Sequence, residues 1–358
     1  MRRREFLGAL GSVAATWPAA ARAQQAGPVR RIGILMGGAE GDSQSEAGLA
    51  ALTAALRQLG WTDGQNIRID IRWAAGNVER MKALAKELVS LPSDLLVAHT
   101  TQPVAALQRE TKTIPIVFLI VSDPVGSGFV ASLPRPGGNI TGFINIESSL
   151  GGKWIEVLRE IAPGVTRAAL MFNPDTAPYS KYYLEPFEAA ARLRGVEPIA
   201  APARTAADIE RVIASLAERP DAALAVMPDV ALSTQNNRDL IIPLVARRRL
   251  LTIYPYRYWV GDGGLVSYGI DQVDLYRRVP TYIDRILKGA KPAELRTGRQ
   301  SQDRKGARAD DPGVVPATRR RGDRMTASGT KRTWPDVRLE SAFGCKAEVG
   351  LWGCQGSF

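Results

Sequence analysis

Apolar residues in this chain fall into alternating blocks: short, nearly unbroken runs, and longer stretches at helical spacing. Ile32 to Met36 is such a run and ends in Gly37-Gly38, the pattern of a strand buried on both faces that feeds a loop. After a small acidic loop, Leu49, Leu52, Leu56 and Leu59 recur on one helix face, and Gly60 ends that helix. Ile67, Ile69 and Ile71 alternate with Arg68, Asp70 and Arg72, as in an edge-like strand. Asn77 caps a helix over 78–91, Leu95 to Ala98 forms a third strand, and a helix over 104–111 leads to a fourth strand over 114–121.

The series then repeats. A strand over 168–172, a helix over 184–193 and a strand over 196–200 are followed by a helix over 206–217 and a strand over 222–227. A helix near 237–248 and a strand over 251–254 complete the second series. Ala74-Ala-Gly-Asn-Val-Glu-Arg is echoed by Thr205-Ala-Ala-Asp-Ile-Glu-Arg, and Pro92-Ser-Asp-Leu-Leu-Val by Pro220-Asp-Ala-Ala-Leu-Ala. Repetition of whole β-α-β-α-β units predicts an α/β protein of two Rossmann-like lobes with parallel sheets, over 30–146 and 147–267. A cleft between such lobes is a place to hold a small ligand. The Pro- and Gly-rich stretch 125–146 reads as the first crossing between them. Gly264 to Asp271 reads as a strand returning to the first lobe, which a segment of about 268–295 completes, including a helix over 272–287.

Charge changes little for the lobes. The net charge is +11, but residues 1–23 carry four Arg against one Glu, and residues 296–358 carry thirteen Lys or Arg against seven acids. The lobes are thus nearly neutral, and no nucleic-acid partner is expected. Met1-Arg-Arg-Arg-Glu-Phe-Leu reads as an export signal of twin-arginine type, with a cleavage site at Ala21-Arg22-Ala23 and a periplasmic destination. From about Arg296 the periodicity stops, in a basic tail whose composition is that of a disordered segment. A strand and a helix belong there if the first lobe is to be complete, so a frameshifted C-terminus is the expectation.

Neither catalysis nor metal binding has residues to carry it. The one histidine is His99, both cysteines (Cys345 and Cys354) lie in the tail, and no G-x-S-x-G elbow occurs. The first strand ends in Gly37-Gly38-Ala-Glu-Gly41 rather than G-x-G-x-x-G, so no cofactor is expected.

Ligands of open α/β sheets sit beyond the carboxyl ends of the strands, which nominates particular loops. Ser43, Ser45, Thr100 and Thr101 precede helices, where hydroxyls and free N–H groups hold a carboxylate. Asp123 or Asp229 would neutralise an ammonium. Asn173 lies in the loop after a second-lobe strand, and Tyr254 and Tyr268 would pack an apolar or aromatic side chain. Asp271 joins them at the end of the returning segment.

Several separated motifs add a resemblance. Arg31-Ile-Gly-Ile-Leu, Gly60-Trp61 with Gly64 and Asn66, Val121-Ser-Asp-Pro-Val-Gly, Pro136-Gly-Gly-Asn-Ile-Thr-Gly, Phe172-Asn-Pro and Ser267-Tyr-Gly-Ile-Asp resemble the substrate-binding proteins of ABC transporters in the TrpX-like group. The likeness spans roughly residues 30–295. It implies a type I periplasmic binding protein fold with a three-stranded hinge, acting as a monomer that delivers a solute to a membrane permease and its ATPase. The solute implied is an amino acid, possibly aromatic. Alternatives are a periplasmic ligand sensor and an exported cofactor-dependent enzyme using the same cleft.

Overall fold

The computed structural model describes residues 28–298 and 346–349. The expected export signal and most of the basic tail, with the frameshift expected there, lie outside the described residues.

The first lobe is a parallel sheet of β1 (Arg30–Met36), β2 (Ile67–Trp73), β3 (Leu95–His99), β4 (Ile116–Val121) and β5 (Ile140–Ile144), ordered β2-β1-β3-β4-β5. Helices α1 (Ser43–Gln58), α2 (Val78–Ser90) and α3 (Thr101–Glu110) make the crossovers. The second lobe repeats this order as β7-β6-β8-β9-β10, built from β6 (Arg167–Phe172), β7 (Glu197–Pro202), β8 (Ala222–Val226), β9 (Leu251–Tyr256) and β10 (Val266–Ile270). Its helices are α4 (Leu150–Ile161), α5 (Ser180–Leu193), α6 (Ala206–Ala217), α7 (Gln235–Arg247) and the short α8 (Tyr258–Gly261). Central strands β3, β4 and β8 are buried throughout, as their continuous apolar runs require. On α1, Leu49, Leu52 and Leu56 are buried, each worth about 1.5–3 kcal/mol of transfer free energy. Leu59 caps the helix and is 38% exposed, because Gly60 at φ +88° turns the chain away.

Three sequence expectations change. The Pro- and Gly-rich stretch contains β5, which pairs with β4 from Ile116↔Ile140 onward because Ile140, Phe143 and Ile144 have an apolar layer to join. Val266–Ile270 stays in the second sheet, parallel to β9, and does not return to the first lobe. The crossing back is made after it, by Asp271 and α9 (Gln272–Leu287), which packs along α1. Gly48 permits that packing: a Cβ there would lie 2.4 Å from the Tyr276 ring. Within the tail, Lys346–Val349 forms a strand, β11, antiparallel to β10.

After α9 the chain starts along the open edge of the first sheet. Gly298 donates to the Gly142 carbonyl at 2.8 Å and accepts from Ile144 N at 3.1 Å. Gly298 thus makes a parallel bridge to Phe143 at the edge of β5, where a further strand is expected.

Candidate functional site

In a β2-β1-β3 order, neighbouring crossovers leave β1 and β3 on opposite faces of the sheet, and a crevice opens at their carboxyl ends. Loops from those positions in both lobes line one cavity of about 510 Å³.

The first-lobe wall is made by the start of α1 and the end of β3. Asp42 caps α1, accepting from Ser45 N at 2.9 Å. His99 ends β3, is 8% exposed and lies 5.7 Å from the Tyr276 ring. Burial lowers its pKa to about 4 against the opposing charge of Asp42, so the imidazole is neutral, and its Nδ1 has no partner. Thr100 follows at φ 77°, ψ 171°, a region that suits glycine. Its hydroxyl also lacks a partner, and α3 begins without a side-chain cap. Ala75 at φ 53° and Ile120 at φ 59° line the same cavity, so backbone strain of order 1–3 kcal/mol per residue is concentrated at its wall.

The opposite wall is organised by Asp229. Its carboxylate accepts from Asn173 N (2.9 Å), Thr176 Oγ1 (2.8 Å), Ala231 N (2.7 Å) and Leu232 N (3.3 Å). Burial pushes its carboxyl up while these four bonds pull it down. Tyr256 stacks on Tyr258 with centroids 5.5 Å apart. Asn145 Nδ2 donates to Tyr256 OH at 2.7 Å, which leaves Asn145 Oδ1 buried and unpartnered. Tyr179, Gln272 and Tyr276 complete the lining.

The lobes are closed on this space. Gln102 Nε2 donates to the Thr176 carbonyl at 3.3 Å, Ser122 Oγ and Tyr183 OH are 2.9 Å apart, and Arg238 reaches Asp42 at 3.4 Å. Among the described residues, the lining carries the carboxylates of Glu40, Asp42 and Asp229, and no Lys or Arg.

Of the residues nominated by sequence, Ser45, Thr100 and Asp229 line the cavity. Others stand nearby with different tasks. Ser43 opens α1 on its exposed side. Thr101 is buried, its hydroxyl accepting from Ser122 N at 3.1 Å and so tying α3 to the end of β4. Asp123, at φ 45°, shapes a turn by accepting from Gly126 N. Asn173 sets the loop after β6 by donating to Asp229 and accepting from Asp175 N. Tyr254 lies one strand repeat below Tyr256 and stacks on Trp259 at 4.8 Å. Tyr268 is buried in β10, where its carbonyl accepts from Trp154 Nε1. Asp271 caps α9 and borders a neighbouring groove. The sequence pattern does not single out Asn145, Gln272 or Tyr276, and takes in Asp42 only within the acidic loop before Ser45. Asp42 had a signal, lying three residues before Ser45 at a helix start. Tyr276 had none, since it faces the cavity only because α9 crosses lobes.

Two duplicated parallel-sheet lobes facing a shared cleft define the type I periplasmic binding protein fold. Residues 37–304 match the family of ABC transporter substrate-binding proteins, and the chain belongs to that family. It is 25% identical to a tyrosine-binding protein of Clostridioides difficile over 67% of this chain and 68% of that one. Among solved structures it resembles an ABC domain in complex with L-Trp from Streptococcus pneumonia, with TM-score 0.69 and 24% identity, covering 75% of this chain and 88% of that one. Against the ligand-free, open form of a substrate-binding protein with adhesive properties from Clostridium difficile the TM-score is 0.57, at 25% identity and with 76% and 89% covered.

Proposed function

We propose that the chain captures an amino acid, of aromatic type, between its lobes as the periplasmic component of an importer, and passes it to a membrane permease driven by an ATPase. The carrying observation is a cleft of about 510 Å³ between the lobes, lined by four tyrosines together with His99, Thr100 and Asn145. Thr100 and the uncapped first turn of α3 suit a carboxylate. The tyrosine rings suit a flat apolar body, and Ser45 and Asp229 close the walls. Among relatives, one is a tyrosine-binding protein and another was solved with L-Trp, which favours this class of solute. Thermal shift of ligand-stripped protein against each of the common amino acids tests it. A rise in Tm with Tyr or Trp is expected; a flat response to every amino acid would refute the reading.

A further inference from the structure

The motif Val121-Ser-Asp-Pro-Val-Gly stands outside the cavity lining, yet the backbone is distorted to present it. Ile120 at φ 59° and Asp123 at φ 45° lie within four residues, and the pairing of β4 with β5 shifts register between Leu119 and Val121. A left-handed conformation is costly for a β-branched residue, so the surroundings must hold this strand end in one place. What it presents is Ser122, which is 1% exposed.

Ser122 meets the second lobe. Its Oγ is 2.9 Å from the hydroxyl of Tyr183, a fully buried side chain in the first turn of α5. Tyr183 OH is also 2.8 Å from the carbonyl of Ile146, in the crossing between the lobes. A carbonyl only accepts, so the phenol proton goes to Ile146 and Ser122 is the donor to Tyr183.

Each partner is fixed from its own side. α4 lies so close to α5 that a Cβ on Gly151 would be 2.5 Å from the Tyr183 carbonyl. The Trp154 ring packs 5.9 Å from that of Tyr183 and is anchored by Nε1, which donates to the Tyr268 carbonyl at 2.9 Å. Tyr179, which lines the cavity, meets Tyr183 edge to face at 6.3 Å. On the first-lobe side, Ser122 N donates to Thr101 Oγ1 at 3.1 Å, next to Thr100 at the cavity wall. The hydroxyl pair therefore links a cavity residue of one lobe to a cavity residue of the other. O–H···O bonds extend to about 3.0 Å, so from 2.9 Å a small rotation of one lobe on the other breaks this one.

We infer that the Ser122–Tyr183 hydrogen bond is a closure latch at the floor of the cleft, made as the lobes shut on a solute and lost when they part. Tyr183 is then a positioning residue that sets affinity without touching the solute. This rests on the capture of a solute proposed above and not on which solute is captured.

Tyr183→Phe removes the hydroxyl and keeps the ring. Calorimetry and stopped-flow dissociation with L-tyrosine and L-tryptophan, together with urea denaturation of the full, ligand-stripped chain, separate a latch from a permanent bond. A latch predicts affinity about tenfold weaker, through faster release, in a stripped protein as stable as wild type. Ser122→Ala should behave alike, and the double variant should bind no more weakly than Tyr183→Phe alone. A less stable stripped variant would overturn the inference, since the bond would then exist without closure. Wild-type affinity in both single variants would overturn it as well. If wild type binds neither amino acid, the amino-acid reading falls and denaturation alone decides the latch: unchanged stability of stripped Tyr183→Phe sustains it, and a loss overturns it.

Discussion

Arg238 Nη1 stands 3.4 Å from the Asp42 carboxylate, joining a second-lobe helix to the cap of a first-lobe helix. The guanidinium is 1% exposed and is already held within its own lobe by Asp262 at 2.8 Å and by the Tyr258 ring, whose centroid is 5.0 Å away. Closure therefore has only to bring Asp42 to a charge that is waiting for it. Truncating one member of such a buried pair acts on dissociation more than on encounter.

Arg238→Gln is expected to speed solute release about tenfold, read by stopped-flow dissociation. Because both side chains are nearly excluded from water, raising the ionic strength should change the wild-type off-rate little. An unchanged off-rate in the variant would show that the pair does not hold the lobes shut.

Thr100→Gly separates stability from binding. Relief of φ 77°, ψ 171° should stabilise the fold by about 1 kcal/mol, while loss of the unpartnered hydroxyl weakens solute affinity. Chemical denaturation and calorimetry on the same preparation read the two effects. A less stable glycine variant would mean that Thr100 is not strained.

Gly48→Ala places a methyl group 2.4 Å from the Tyr276 ring. The expected cost is about 1–3 kcal/mol of stability, with weakened binding because α9 carries both Tyr276 and Gln272 into the cavity. Wild-type stability and affinity would show that the two helices part without moving the site.

The pKa of His99 is lowered from 6.5 to about 4 by burial, so between those values the unfolded chain takes up a proton that the folded chain refuses. Stability is then full above pH 6.5 and falls as the pH drops towards 4, by about 3 kcal/mol for this group alone. Urea melts of wild type and His99→Gln across that window should diverge, the variant being less pH-dependent. Parallel curves would exclude the contribution.

Much of the architecture was legible from local pattern. Runs such as Leu95 to Ala98 announce buried parallel strands, and Asn77 and Gly60 mark helix ends because capping chemistry is local. β5 escaped notice because Ile140–Ile144 is short and follows Pro136-Gly-Gly-Asn, whose turn signal dominates the window. β10 was assigned to the other lobe because a strand's residues do not say which edge it joins.

The repeat, the strand periodicity and the export-like start are properties of the chain read in one dimension, since each depends on residues a few positions apart. Which side chains meet in the cleft depends on how two separate lobes face each other, and no local period encodes that. Tyr254 and Tyr256 look alike in sequence, yet one strand repeat puts the first under Trp259 and the second against Asn145. Asp42 and Asp229 are both loop carboxylates, and only the tertiary structure spends the second on its own loop and leaves the first facing the cavity.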